Sequence, residues 1–139
     1  MSKVAVVYWS MTGNTEAMAK ELASAAGTEA IESSEFSADM CDQYDAFAFG
    51  CPAMGAEELE DSVFEPFISE IESGLSGKKV VLFGSYDWGD GEFMRTWEER
   101  VTSAGAELVT GAGITANLSP DDAAVEALKK AGEELAALI

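Results

Sequence analysis

Histidine is absent from this 139-residue chain and cations are scarce: 8 Lys and Arg stand against 26 Asp and Glu, a formal net charge of −18 at pH 7. Without an imidazole, the chain has neither the usual neutral-pH general base nor the commonest metal ligand. So few cations exclude nucleic acid as a partner, because neutralising its backbone takes clustered Lys or Arg. The acidic balance suits basic partners met through salt-sensitive association. Cysteine is limited to Cys41 and Cys51. They make no Cys-x-x-Cys pair and cannot build a zinc or iron–sulfur site by themselves. Two reduced thiols are a simpler reading than a disulfide. Long hydrophobic runs are also missing. The apolar stretch Val4-Ala5-Val6-Val7-Tyr8-Trp9 is too short for a signal-peptide core or a membrane span. No membrane association is expected, and a soluble cytoplasmic protein is the default. No repeat, linker or low-complexity tract divides the chain, so one domain over residues 1–139 is expected.

What is present is an alternation of short apolar runs with longer periodic segments. Strands are expected at residues 4–9, at 28–32 around Ile31, at 46–49 ending on Gly50, and at 79–83 ending on Gly84. A fifth is expected in two pieces, 108–110 and 114–116. The first run is apolar on both faces, as in strands covered on both sides. Helical spacing joins Met18 to Leu22 over residues 16–26, with Gly27 as a stop. Val63, Phe64, Phe67, Ile68 and Ile71 share one helical face, with Pro66 in the first turn. Phe93, Trp97 and Val101 form a third stripe closing at Gly105, and Leu128, Ala131, Leu135 and Leu138 form a fourth. Ser119-Pro120-Asp121-Asp122 reads as the start of that last helix, with Ser119 as N-cap and Pro120 at the first helical position. The alternation predicts an α/β domain with a parallel sheet and right-handed crossovers. Ligands of such sheets bind at the carboxyl ends of the strands.

Three loops leave that end. Ser10-Met11-Thr12-Gly13-Asn14-Thr15 follows strand one and precedes helix one. Hydroxyls, an amide and free backbone N–H groups at a helix start favour an anion. The loop has no Lys or Arg, so it is not a Walker loop, and it lacks Gly-x-Gly-x-x-Gly. A polar capping turn without a ligand is the alternative. Gly50-Cys51-Pro52-Ala53-Met54-Gly55-Ala56-Glu57-Glu58 follows strand three, and Gly84-Ser85-Tyr86-Asp87-Trp88-Gly89-Asp90-Gly91 follows strand four. Each sets a large apolar side chain, Met54 or Trp88, among small residues, where it suits a planar ring better than a core.

These three loops, in this order, resemble those of the flavodoxins, in particular the short-chain flavodoxins of anaerobic bacteria. The resemblance spans the chain. It implies a flavodoxin-like, three-layer, doubly wound fold with a five-stranded parallel sheet in the order 2-1-3-4-5. It further implies one non-covalent FMN. Ser10, Thr12, Gly13, Asn14 and Thr15 would surround the phosphate, with Ser85 beside it and Met11 in the same cofactor-binding loop. Met54 would pack on the inner face of the isoalloxazine and Trp88 on the outer. Glu57 would accept from flavin N3–H, and the Gly55–Ala56 peptide would adjoin N5. Pro52, Ala53, Tyr86, Asp87 and Gly89 complete the expected cofactor-binding set. Met11 and Asp87 stand where those proteins usually have Gly, and Asp87 brings a carboxyl toward the flavin pyrimidine edge.

The function implied is low-potential electron transfer, with single electrons shuttled between redox enzymes through semiquinone and hydroquinone states, and no catalysis. The implied partners are basic-surfaced redox proteins such as flavodoxin or ferredoxin reductases and ferredoxin-dependent oxidoreductases, and the implied assembly is a monomer. Glu57, Glu58, Glu60, Asp61, Glu65, Asp87, Asp90 and Glu92 crowd the two flavin loops. They read either as a solvated face or as a rim that steers such partners. An FMN-dependent NAD(P)H:quinone-type oxidoreductase is the alternative, disfavoured by Trp88 over one flavin face and by the short loops. A phosphoacceptor receiver domain shares the topology but needs an Asp at the end of strand three, where this chain has Phe49-Gly50.

Overall fold

The computed structural model describes residues 4–10, 13–36, 44, 46–52, 64–86, 92–109, 113–117 and 121–137. In chain order they form β1 (Val4–Tyr8), α1 (Asn14–Ala26), β2 (Ala30–Glu32), β3 (Ala46–Gly50), α2 (Phe64–Ile71), β4 (Lys79–Tyr86), α3 (Glu92–Ser103), β5 (Glu107–Leu108), β6 (Ile114–Asn117) and α4 (Asp122–Ala137). All pairings are parallel, in the order β2-β1-β3-β4-β5, with β6 also on β4. The expected order 2-1-3-4-5 is therefore found, and the fifth strand does come in two pieces. Between Val80 and Phe83 β4 has two residues, whereas five separate their partners Leu108 and Ile114.

The alternation of side chains along each strand builds two cores. Val4, Val6 and Tyr8 face α1 and α4 with Met18, Leu22, Phe83, Leu128 and Leu135. Ala5, Val7, Phe47, Phe49, Val80 and Leu82 face α2 and α3. Phe47 and Phe49 stack at 5.4 Å, and Phe64 meets Trp97 edge-on at 5.5 Å, joining α2 to α3. Each such buried side chain contributes about 1.5–3 kcal/mol. Gly132 lets α4 close on α1, for a Cβ there would stand 2.5 Å from Leu22 O.

The element ends follow the sequence with small shifts, two of which have a clear physical cause. Gly27 adopts φ 75° and donates to Ser24 O, while Thr28 N donates to Ala23 O, satisfying the last carbonyls of α1. At α4 the cap is Asp121 rather than Ser119: Ala124 N donates to Asp121 Oδ1 at 2.9 Å, and Val125 N to Asp121 O. A carboxylate beside the first turn also complements the helix dipole, so the start lies two residues beyond the Ser-Pro signal. The second difference is β4. It runs past Gly84 to Tyr86 because β6 pairs with Phe83, Gly84, Ser85 and Tyr86.

Arg100 of α3 ties α2 down. Its guanidinium donates to Glu65 at 2.6 Å, to Ser69 at 3.0 Å and to Glu72. Burial pulls the guanidinium pKa down, but the bonds to Glu65 and Glu72 outweigh it and the net shift is upward. Arg100→Met is expected to cost about 1–2 kcal/mol, read as a lower urea midpoint at unchanged slope. Among the described residues, no helix is long and apolar enough to cross a membrane.

Candidate functional site

Parallel register brings the ends of β1, β3 and β4 to one sheet edge, with Tyr8 beside Gly50 and Gly50 beside Phe83. Trp9 N donates to Gly50 O at 3.0 Å, and Cys51 N to Phe83 O at 3.2 Å, so the pairing extends to where the loops depart. Two glycines permit this closeness. A Cβ on Gly50 would overlap the Phe83 ring, and one on Gly84 would stand 2.2 Å from Cys51 O. Cys51 is buried, with its thiol directed to Pro52 O at 3.4 Å.

The start of α1 is built around one hydroxyl. Ser10 Oγ accepts from Gly13 N at 3.1 Å and from Glu16 N at 3.3 Å. Gly13, with φ 95°, makes the turn. The amides of Asn14 and Thr15 have no acceptor among the described residues, as the geometry of a helix start dictates. Thr15 Oγ1 lies 2.9 Å from Ser85 Oγ, and both residues are buried. This contact reaches from the first loop past β3 to β4. Glu16 is drawn aside: Tyr8 donates to its carboxylate at 3.3 Å and Lys20 lies 3.3 Å from it. Burial raises the Tyr8 pKa, and the Glu16, Glu32 and Glu35 carboxylates raise it further.

Of the residues expected from sequence, Ser10, Gly13, Asn14, Thr15 and Ser85 come together, and Pro52 and Tyr86 lie on the same edge. Asn14 and Thr15 belong to the first helical turn and Ser85 to a strand. Met11, Thr12, Ala53, Met54, Gly55, Ala56, Glu57, Asp87, Trp88 and Gly89 lie outside the described residues. Sequence reasoning missed Tyr8 and Glu16. The strand phase that puts Tyr8 with Val4 and Val6 on the α1 side was the available signal. A groove of about 420 Å³ at the far end of α1, lined by Lys20, Ser24, Thr28 and Glu29, lies away from this edge.

A family model described as Flavodoxin matches residues 6–132. The chain belongs to the flavodoxin family. The flavodoxin of Megasphaera elsdenii is 48% identical over 125 residues, covering 86% of this chain and 90% of its own. That of Clostridium beijerinckii is 48% identical over 123 residues, covering 85% and 88%. The solution structure of two-electron reduced Megasphaera elsdenii flavodoxin superposes with a TM-score of 0.88 at 44% identity, covering 97% of this chain and 99% of that one. Oxidised flavodoxin 1 from Bacillus cereus gives 0.86 at 30% identity, covering 99% of each.

Flavodoxins bind FMN and are electron carriers rather than enzymes. The described part of the site fits that cofactor's phosphate. Its donors are neutral hydroxyls and helix-start amides, which suit an anion. The Glu16 carboxylate, in the first turn of α1, is engaged by Tyr8 and Lys20.

Proposed function

We propose that this chain holds one FMN non-covalently in a single domain, residues 1–139, and passes single electrons between redox enzymes at low potential. The observation that carries this reading is the donor cluster of Ser10, the first-turn amides of α1 and the Thr15–Ser85 hydroxyl pair, at the edge from which the other two loops leave. When bound, FMN supplies chemistry in steps of one or two electrons, and the protein sets which step is favoured. Ser10, Thr12, Gly13, Asn14 and Thr15 hold the phosphate with Ser85 beside it, and Met11 belongs to the same cofactor-binding loop. Pro52, Ala53, Met54, Gly55, Ala56 and Glu57, and Tyr86, Asp87, Trp88 and Gly89, enclose the ring system. The test is reductive titration followed by absorbance. One flavin per chain, reduced in two resolved one-electron steps, is the expected result. A chain that stays colourless after incubation with FMN overturns the reading.

Asp87 shapes the second step. A carboxylate several ångströms from the reduced ring opposes its negative charge by about 2 kcal/mol at an effective dielectric of about 20, before screening. Asp87→Asn is expected to raise the second potential, with the difference shrinking at low pH as the Asp87 carboxyl becomes neutral. Superimposed titrations of wild type and variant across pH would remove Asp87 from this role.

The partners are basic-surfaced redox proteins such as flavodoxin or ferredoxin reductases and ferredoxin-dependent oxidoreductases, met in the cytoplasm by a monomer. The excess of acids supports this, with 26 Asp and Glu in the chain. Electron exchange with a basic reductase is expected to slow steeply with added salt. Joint neutralisation of Glu57, Glu58, Glu60 and Asp61 should flatten that dependence while barely moving the potentials. A salt-independent wild-type rate leaves the acids as a solvated face.

A further inference from the structure

We infer that Ser85 is a positioning residue that selects a phosphorylated flavin through Thr15, without itself touching the phosphate. The inference rests on the proposed FMN site and goes beyond it by giving Ser85 a role distinct from that of the loop residues. Thr15 Oγ1 and Ser85 Oγ are 2.9 Å apart, in residues that are 1% and 4% exposed. Two hydroxyls bring two protons, and the bond between them uses one. The other proton has no acceptor among the described residues. Two arrangements satisfy the bond equally while the site is empty: Thr15 donates to Ser85, or Ser85 donates to Thr15.

An anion breaks that tie. Thr15 lies in the first turn of α1, beside the amides of Asn14 and Thr15, whereas Ser85 stands on β4 beneath it, paired with Ala116. Negative charge gathered at the helix start attracts the Thr15 proton outward. Thr15 Oγ1 is then free to accept from Ser85, so the ordered chain runs Ser85 O–H to Thr15 O–H to phosphate oxygen. Each donor in such a chain polarises the next, and the terminal bond to a charged oxygen is strengthened. Riboflavin, with a hydroxyl in place of the phosphate, gives no comparable bias and gains nothing from Ser85. Ser85 therefore discriminates between the two flavins from behind the contact residue.

The test is to titrate the full chain with FMN and separately with riboflavin, following quenching of flavin fluorescence, for wild type, Ser85→Ala, Ser85→Cys, Thr15→Val and the double variant Thr15→Val/Ser85→Ala. Ser85→Ala is expected to weaken FMN about three- to tenfold while leaving riboflavin within about twofold. Ser85→Cys, a weaker donor of similar volume, should fall between. In the Thr15→Val background the Ser85→Ala change should have no further effect on FMN, because the relay is already cut. Equal losses for both flavins in the Ala and Cys variants, additive effects in the double variant, or an unchanged FMN affinity would each overturn the relay while leaving the carrier reading intact. A wild-type chain that binds neither flavin would bring down the carrier reading and this inference with it.

Discussion

Gly84→Ala is expected to be among the most damaging single methyl additions in this protein. The new Cβ would stand 2.2 Å from the carbonyl oxygen of Cys51, a backbone atom, and 3.2 Å from the Phe93 ring. The Cys51 backbone is fixed by its own bond to Phe83 O, so relief requires moving the start of the second loop away from β4. Overpacking of this kind costs about 3 kcal/mol or more when backbone must yield. The displaced segment is the one that leads to Met54 and Glu57, so FMN affinity should fall along with stability. Gly77→Ala is the matched control. Gly77 also prefers glycine, at φ 78°, but a Cβ there meets nothing within 4 Å. Its expected cost is about 1 kcal/mol, with FMN affinity unchanged. Urea midpoints and FMN titrations of the two variants side by side decide the matter; equal costs would mean that the Cys51 contact relaxes freely.

Ser10→Ala should produce the largest loss at the phosphate end. Ser10 Oγ accepts from two amides, those of Gly13 and Glu16, and its own proton remains to be donated. Removing the hydroxyl orphans two N–H groups at a helix start and deletes one donor to an anion. Together these are expected to cost about 2–4 kcal/mol of FMN binding. Asn14→Ala, which leaves the Ser10 bonds in place, should cost about 1–3 kcal/mol. Riboflavin affinity should change far less in both variants. If Ser10→Ala weakens both flavins alike, the hydroxyl serves the helix and not the phosphate.

The sheet was legible because its signals are local. Apolar runs of strand length, broken by glycines and followed by helical stripes such as Phe64, Phe67, Ile68 and Ile71, leave few topologies for a chain of this length. The phosphate turn was legible for the same reason: Ser10, Gly13, Asn14 and Thr15 lie within six residues. Contacts between distant segments were not. Only the family resemblance set Ser85 beside the phosphate with Thr15; no residue pattern near Ser85 announces that it meets a side chain 70 residues earlier. The choice of Asp121 over Ser119 as cap depends on where α4 must start to bury Ala124 and Leu128, a demand set by α1 and β1. The extension of β4 to Tyr86 likewise depends on β6 arriving from 28 or more residues downstream.

The close seat of Gly132 against Leu22 O has a consequence for the order in which the molecule becomes itself. The helix that begins at the phosphate turn leaves the ribosome well before the helix that covers its apolar side, with roughly 100 residues between them. At a synthesis rate of roughly 5–20 residues per second, Met18 and Leu22 wait on the order of ten seconds for their cover. A nascent chain halted before residue 122 would have both flanks of its cofactor loop drafted and nothing to seal them. Competence to hold a flavin should therefore arrive only once α4 has left the exit tunnel and closed on α1.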